Sequence, residues 1–210
     1  GRVALVTGVS RRAGIGFAVA KRLLDAGASV YCQSWSPHDE EQAWGADPVG
    51  AAGVMAALDA PADRLAHLVA ELAQAPNAGV LVHRAVERFG HVDILVANHA
   101  RSSRQDLASL TAAELDHSWA VNARATALLV QAFAAQHDDT RPGGRVVLFT
   151  SGQHRAPMAE ELPYAISKGA IHQMTLSLSD ALIDRGITVN TVNPGPTDTG
   201  WASEDLAASV

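Results

Sequence analysis

The chain has 210 residues, of which 48% are hydrophobic and 18% charged. This balance is typical of a globular protein and excludes a disordered chain. The formal net charge of -6 argues against a nucleic-acid partner, because phosphate binding requires a basic surface.

No segment has the pattern of a membrane span or of a secretory leader. Uninterrupted apolar runs stay below the roughly 18 to 20 residues that a membrane-spanning helix requires. The sequence opens on a strand-like run, whereas a leader begins with charged and then apolar residues. Because Cys32 is the single cysteine, no intrachain disulfide can form, and we expect a cytoplasmic protein without a membrane partner.

The first third of the sequence has the pattern of a βαβ unit. Residues 2–7 form a short apolar run without alternation, as in a strand that is covered on both faces. Apolar residues recur at helical spacing over 15–26, Gly27 ends this helix, and 28–32 is predicted as the second strand. The following stretch, 33–50, is rich in Trp, Pro and acidic residues and is predicted to be irregular.

Strands and helices continue to alternate over the rest of the chain. Further strands are predicted at 53–58, 92–97, 145–150 and 187–192, with an irregular stretch at 74–79. A capping box from Thr111 to Glu114 opens a helix that reaches about residue 136, and another helix is predicted over 162–184. This alternation predicts an α/β fold with a single Rossmann-type, doubly wound parallel sheet that has helices on both faces. No linker or repeat divides the chain, so we expect one domain over 1–210.

A glycine-rich loop lies between the first strand and the first helix. Without Cβ atoms, such a loop lets a pyrophosphate approach the helix N-terminus, where free N–H groups and the positive end of the dipole stabilise anions. A turn that uses glycine only for its dihedral angles is the alternative, which the strand and helix context makes weaker. The predicted dinucleotide contacts here are Gly8, Ser10, Arg11, Arg12, Gly14, Ile15 and Gly16.

The end of the second strand favours NADP over NAD. NAD recognition usually places an acidic side chain there, whereas this strand ends at Gln33, Ser34 and Trp35. Ser34, at this strand end, is a further predicted cofactor contact. Arg11 and Arg12 could pair with a 2′-phosphate, although they could equally be solvated loop residues.

Two more candidates for cofactor binding follow later strands. Asp59 comes directly after the predicted third strand and Asn98 after the fourth. Ligands of open parallel sheets bind at the carboxyl ends of the strands, so both are predicted contacts. Each could instead be a turn residue.

The chemical residues are predicted from a tyrosine and a lysine at helical spacing. Tyr164 and Lys168 are four residues apart, which places them on one helix face, and a nearby ammonium favours the phenolate needed for acid–base work. Ser151, at the end of the fifth strand, could hydrogen-bond a substrate oxygen, or it could be a cap. Asn122, inside the long helix, could hold a group in a proton path or could be merely solvated.

Together these motifs resemble the short-chain dehydrogenase/reductase family over residues 2–199. In that family a glycine loop binds the cofactor, and an Asn, Ser, Tyr and Lys tetrad performs the chemistry. Asn122, Ser151, Tyr164 and Lys168 match the tetrad. The resemblance implies an enzyme that transfers a hydride between NAD(P) and a carbonyl or secondary alcohol, with ketone or 3-oxoacyl reduction as the expected reaction.

The resemblance also implies a role for each residue. Tyr164 is the general acid–base, Ser151 orients the carbonyl, and Asn122 supports a proton relay. Lys168 binds the nicotinamide ribose and lowers the pKa of Tyr164. The segment after the sixth strand matches the family's Pro-Gly loop beside the nicotinamide, although a plain loop is the alternative. Its predicted cofactor contacts are Pro194, Gly195, Thr197 and Thr199.

The sequence departs from the family pattern at two places. The Asn-Asn-Ala-Gly motif after strand four is reduced to its second Asn, Asn98, with His99 and Ala100 in the last two positions. Family members usually continue through a substrate-covering helix and a further strand, whereas this sequence ends at Val210 in a helix-like tail and begins without methionine. We therefore expect that the C-terminal part is missing.

Other function classes are less well supported. A non-catalytic nucleotide-binding sensor or scaffold would not need the tetrad. A sugar-nucleotide epimerase or dehydratase would need a further C-terminal substrate domain. The nine histidines show no metal-binding spacing, so no metal is expected. Extra apolar positions on the helices at 111–136 and 162–184 predict a homodimer or homotetramer that acts on a small molecule.

Overall fold

A single sheet of parallel strands organises the structure. The computed structural model describes residues 1–141 and 143–200. In this part of the chain, six strands pair in the order β3-β2-β1-β4-β5-β6. The strands are β1 Val3–Val6, β2 Ser29–Ser34, β3 Leu65–Val69, β4 Ile94–Ala97, β5 Gly144–Phe149 and β6 Ile187–Val192. The predicted helix-like tail at 201–210 lies outside the described residues.

Helices cover both faces of the sheet, as predicted. They are α1 Ile15–Asp25, α2 Pro37–Glu40, α3 Gly50–Ala56, α4 Pro76–Phe89, α5 Ala112–Ser118, α6 Ala125–Gln136 and α7 Leu162–Ile183. A π-helical segment, Trp119–Arg124, joins α5 to α6, and a 3-10 turn, Gly152–His154, follows β5. Among the described residues, no helix is both long and apolar enough to cross a membrane.

The core consists of two apolar clusters, one on each side of the sheet. One joins the sheet to α4, α6 and α7 through residues such as Leu129, Phe133 and Ile171. The other joins it to α1 and α3 through Ala20 and Val54. All four residues of β1 are buried, which explains why its sequence is apolar without alternation. Cys32, in β2, is fully buried in the second cluster, and burial raises the pKa of its thiol to about 12.

The prediction of the third strand was wrong. Residues 50–56 form α3, and β3 follows at Leu65–Val69 on the edge of the sheet. A short apolar run does not distinguish a buried strand from a buried helix by its period, and the run at 53–58 contains the helix formers Met and Ala. The true strand was missed because His67 interrupts its apolar residues.

The long helix predicted from Thr111 to about residue 136 is continuous but not uniformly α-helical. Thr111 caps it as predicted, since its Oγ1 accepts a hydrogen bond from the Glu114 N–H at 3.3 Å. The reciprocal half of the capping box is absent, because the Glu114 carboxylate binds Arg101 instead. The turn from Trp119 to Arg124 widens to π-helical geometry, which is common at functional sites.

The predicted irregular stretches contain short helical pieces. Helix α2 lies within 33–50, and α4 begins at Pro76 within 74–79. Proline is well suited to the first turn of a helix because its missing N–H would have no partner there.

Candidate active site

The loops at the carboxyl ends of the strands enclose one large cavity of about 1080 Å³. It lies where the strand order reverses between β1 and β4, the position at which open α/β sheets bind ligands. The predicted candidates at its wall are Gly8, Ser10, Arg11, Gly14, Ile15, Asn98, Ser151, Tyr164, Pro194, Gly195, Thr197 and Thr199.

The glycine loop is shaped for close backbone packing. Gly8 has a φ of 74°, in the left-handed region that favours glycine. A Cβ atom on Gly16 would lie 2.3 Å from the carbonyl oxygen of Gly8, so Gly16 lets α1 approach the loop and does not itself line the cavity. Helix α1 begins without a side-chain cap and without an acidic residue in its first turn. Its positive end therefore suits the pyrophosphate of a dinucleotide.

Arg11 and Arg12 occupy different environments. Arg11 lines the cavity, where its Nε lies 3.4 Å from Asp39 Oδ1 and its guanidinium 5.7 Å from the ring centroid of Trp44. Arg12 instead binds Asp47 through two guanidinium nitrogens at 2.9–3.2 Å, outside the residues that line the cavity. The structure thus brings only Arg11 of this pair to the candidate site.

Two further predicted cofactor contacts, Ser34 and Asp59, do not line the cavity. Ser34 is buried, and its Oγ is 2.8 Å from Nε2 of His67 on β3. Its neighbour Gln33 lines the cavity instead and accepts a hydrogen bond from the Gly8 N–H at 3.0 Å. Asp59 follows α3 in a left-handed turn with a φ of 49°, because the strand expected before it is a helix. Glu71, two residues after β3, occupies the position at the cavity wall that was assigned to Asp59.

Asn98 and His99 hold the loop after β4 against the end of β1. The Asn98 side chain donates hydrogen bonds to the carbonyl oxygens of Thr7 and Gly8 at 3.2 and 3.3 Å. His99 has Nδ1 at 2.8 Å from Thr7 Oγ1 and Nε2 at 2.9 Å from the carbonyl oxygen of Val121. Burial and the charge of Lys168 lower the pKa of His99 to about 4, so the ring is neutral.

Ser151 and Tyr164 share a wall of the cavity. Ser151 follows β5, and Tyr164 lies in the first turn of α7. Burial raises the pKa of Tyr164, and a hydrogen bond with the Ser151 side chain acts in the opposite direction. Lys168 lies one turn further along α7, with its Nζ 5.8 Å from the centre of the Tyr164 ring.

Lys168 is almost completely buried beneath the cavity wall. Its Nζ donates a hydrogen bond to the carbonyl oxygen of Phe149 at 2.8 Å, and burial lowers its pKa to about 8. Burial is the largest influence on the pKa of both groups, and the lowering of the Tyr164 pKa by Lys168 stays a prediction. Desolvation disfavours the phenolate and the ammonium alike.

Asn122 lies in the π-helical segment and is fully buried rather than solvated. Its Oδ1 accepts from the Arg101 N–H at 2.7 Å, and its Nδ2 donates to the Arg101 carbonyl oxygen at 3.0 Å and to Ser167 Oγ at 2.8 Å. Ser167 in turn donates to the carbonyl oxygen of Tyr164. Asn122 therefore joins the loop after β4 to the turn that carries Tyr164 and Lys168.

The chain is similar to known proteins in both sequence and fold. Residues 2–208 match the family model described as short chain dehydrogenase. The chain belongs to the short-chain dehydrogenase family. Its members are oxidoreductases that act on CH–OH and C=O groups with NAD(P), and this chain is an oxidoreductase of that family.

Individual relatives cover nearly the whole chain. An uncharacterised oxidoreductase of Bacillus subtilis, YjdA, is 34% identical over 98% of this chain and 78% of its own length. A short-chain dehydrogenase/reductase of Serratia marcescens superposes with a TM-score of 0.84 at 32% identity, over 100% of this chain and 80% of its own. LugOII, described as a promiscuous reductase that catalyses keto-reduction at C1 during lugdunomycin biosynthesis, is 36% identical with a TM-score of 0.78, over 93% and 77%.

Sequence reasoning missed some residues at this site. Glu71 would have been found if the third strand had been placed at residues 65–69, since the next residues then fall at the cavity edge. Gln33 was noted only for not being acidic. Asp39 and Trp44 carried no motif, and they reach Arg11 only through the path of the segment after β2.

Proposed function

We propose that this protein reduces a ketone to a secondary alcohol, with Tyr164 as the general acid. One observation carries the proposal. Ser151 and Tyr164 line the same cavity that the glycine loop and the N-terminus of α1 border. A carbonyl oxygen held between these hydroxyl groups would receive two hydrogen bonds, which stabilise the negative charge that develops in the transition state.

The residues have separate tasks in this reaction. When bound, the nicotinamide supplies the hydride to the carbonyl carbon. Tyr164 transfers its hydroxyl proton to the carbonyl oxygen, and its raised pKa keeps that proton in place at neutral pH. Ser151 donates a hydrogen bond that orients the carbonyl. In the oxidative direction, the Tyr164 phenolate would accept the proton of the alcohol.

Lys168 and Asn122 act around Tyr164. Lys168 lies close to the Tyr164 ring, so its ammonium would stabilise the phenolate that remains after proton transfer, while it binds the hydroxyl groups of the nicotinamide ribose. Asn122 would support the return of a proton to Tyr164, because it links the turn of Tyr164 to the loop after β4.

We propose NADP(H) as the preferred cofactor, with Arg11 as the partner of the 2′-phosphate. Strand β2 ends without an acidic residue, and Arg11 is the glycine-loop arginine that lines the cavity. A guanidinium binds phosphate with charge-assisted hydrogen bonds. Asp39 competes for the same guanidinium, so the phosphate would have to displace this ion pair.

The proposed substrate is a small ketone, of which a 3-oxoacyl group is one form. The keto-reduction described for LugOII supports this class of reaction. Exposed apolar side chains on the π-helical segment and α7, such as Trp119 and Leu176, support a homodimer or homotetramer. With one buried thiol, we also propose a cytoplasmic location.

Purified full-length protein tests the function directly. We expect it to oxidise NADPH in the presence of ketones from a panel that includes aromatic ketones and 3-oxoacyl thioesters, and to do so more slowly with NADH. Tight NADPH binding without turnover of any of them would instead indicate a nucleotide-binding sensor or scaffold. Turnover of nucleotide sugars alone would indicate the epimerase or dehydratase class.

A further inference from the structure

His99 occupies a position where the family motif has alanine, and both of its ring nitrogens are engaged. Nδ1 is 2.8 Å from the Thr7 hydroxyl at the end of β1, and Nε2 is 2.9 Å from the Val121 carbonyl oxygen in the π-helical segment. The ring is 6% exposed and borders the large cavity. A side chain of this size therefore bridges two elements that an alanine could not connect.

The two contacts determine which nitrogen carries the proton. A carbonyl oxygen only accepts, so Nε2 must donate its proton to Val121. The neutral ring then has its lone pair on Nδ1. The single proton of the Thr7 hydroxyl is donated to this nitrogen at 2.8 Å in preference to the Val96 carbonyl oxygen at 3.4 Å. Thr7 Oγ1 still accepts from the backbone N–H groups of Asn98 and His99 at 3.1 and 3.2 Å. Every polar atom of this small network has a partner of the correct kind.

The segment that His99 holds is connected to the chemical residues. Asn122 follows Val121 directly, and it bonds to Arg101 in the loop after β4 and to Ser167 on α7. Ser167 precedes Lys168 and donates to the Tyr164 carbonyl oxygen. The π-helical turn departs from regular α-helical geometry, and His99 binds a carbonyl oxygen inside it, so this side chain contributes to holding the turn in place.

We propose that His99 is a positioning residue that fixes the π-helical segment. Asn122 in this segment then holds the α7 turn that carries Tyr164 and Lys168 in place at the cavity. This inference rests on the proposed function. Asn98, its neighbour in sequence, has a different task, because its side chain holds the glycine loop. We therefore expect Asn98 to contribute to cofactor binding and His99 to contribute to the rate of turnover.

Kinetics of two adjacent variants test this division. His99→Ala removes the side-chain donor to the Val121 carbonyl oxygen, and we expect kcat to fall about tenfold while the Kd for NADPH changes less than about twofold. Asn98→Ala should instead raise the Kd for NADPH, because the Asn98 side chain holds the glycine loop. If His99→Ala changed only the Kd, or left kcat unchanged in an enzyme that turns over ketones, the inference would be wrong.

Chemical rescue separates the missing hydrogen bonds from missing volume. Because His99 borders the cavity, the space left in His99→Ala is open to small molecules added to the buffer. We expect 4-methylimidazole, which has an N–H donor, to restore at least about half of kcat. The isomer 1-methylimidazole has the same size without that donor and should restore little. Equal rescue by both would refute the proposed role of the donor.

The tautomer of His99 provides a readout that does not depend on activity or on the variants folding. In the wild-type protein, long-range nitrogen–proton correlation spectra should show the His99 proton on Nε2. A proton on Nδ1 would mean that His99 does not donate to the Val121 carbonyl oxygen, and this result would overturn the inference. If instead the wild type turned over no ketone while the tautomer was as expected, the proposed function would fail and the structural link would stand.

Discussion

The nucleotide end and the chemical end of the cavity differ in how their residues are arranged. At the chemical end, Tyr164 and Lys168 lie one turn apart on α7, and Ser151 follows the neighbouring strand. At the nucleotide end, Arg11 contacts Asp39 on the short helix α2 and Trp44 in the segment that follows it. The chemical end is formed by residues at regular spacing on a helix and at a strand end. The nucleotide end depends on contacts between segments that come together only in the folded chain.

The largest expected effect tests the chemical end. Tyr164→Phe removes the only hydroxyl proposed to donate a proton, so kcat should fall about a thousandfold, which is typical of losing a general acid. NADPH binding should persist, as a fluorescence titration would show. Tyr31, the other tyrosine, packs edge-on against Phe89 away from the cavity, and Tyr31→Phe should keep its turnover. Equal losses in both variants would mean that folding, not chemistry, had changed.

Lys168→Met, at the chemical end, should change turnover and stability in opposite directions. Burial lowers the Lys168 pKa from 10.5 to about 8, so the unfolded chain binds more protons between these values and wild-type stability rises with pH there. Removing the buried amine should abolish turnover yet stabilise the fold by about 1–2 kcal/mol at pH 7, after allowing for the unpaired Phe149 carbonyl.

Urea denaturation over a range of pH measures this gain. The gain should be full below pH 8 and decrease above it. Before pH 10.5 it should turn into a small loss, because the unpaired Phe149 carbonyl is then the main remaining difference. The matched control is Lys21→Met, because Lys21 is the other lysine and pairs with Asp25 on the exposed surface of α1. A stability gain in Lys21→Met of the same size and pH dependence would contradict the assignment to burial.

The arginine pair tests the nucleotide end. Arg11→Ala should weaken NADPH binding about tenfold with little effect on NADH, because only NADPH has the 2′-phosphate. Arg12→Ala should leave both dissociation constants within about twofold, since Arg12 binds Asp47 outside the cavity. Calorimetric titration of both cofactors against both variants provides the values. If Arg12→Ala had the larger effect, the ion pair with Asp47 would not describe the cofactor-bound protein.

The smallest effect concerns Asp59, which was predicted as a cofactor contact. Its left-handed backbone is tolerated by Asp but disfavoured for Ala, so Asp59→Ala should destabilise the fold by about 0.5–1 kcal/mol. Asp59→Gly removes the same carboxylate without this strain and should not share the loss. Thermal unfolding compares the two. Weaker NADPH binding in both variants would restore the original prediction for Asp59.

The sequence was sufficient for five of the six strands and for a cavity that the glycine loop, Ser151 and Tyr164 share, because these depend on apolar periodicity and on short, regular spacings. It was insufficient where a short apolar run fits two structures, as at 53–58. Because of this error, Asp59 was predicted at the position that Glu71 occupies at the cavity wall. The pairing of Arg12 with Asp47 joins residues 35 positions apart that are separated by α1, β2 and α2, and no local pattern predicts such a contact.

The burial of Cys32 in β2 makes this thiol a probe of the whole sheet. With a pKa of about 12 and no exposed surface, the thiol reacts with an aromatic disulfide reagent only after the strand has separated from its neighbours. The labelling rate therefore reports the population of opened molecules. The cavity lies at the carboxyl end of this strand, so a dinucleotide bound there stabilises the closed sheet. The labelling rate should therefore fall as the bound fraction of the protein rises.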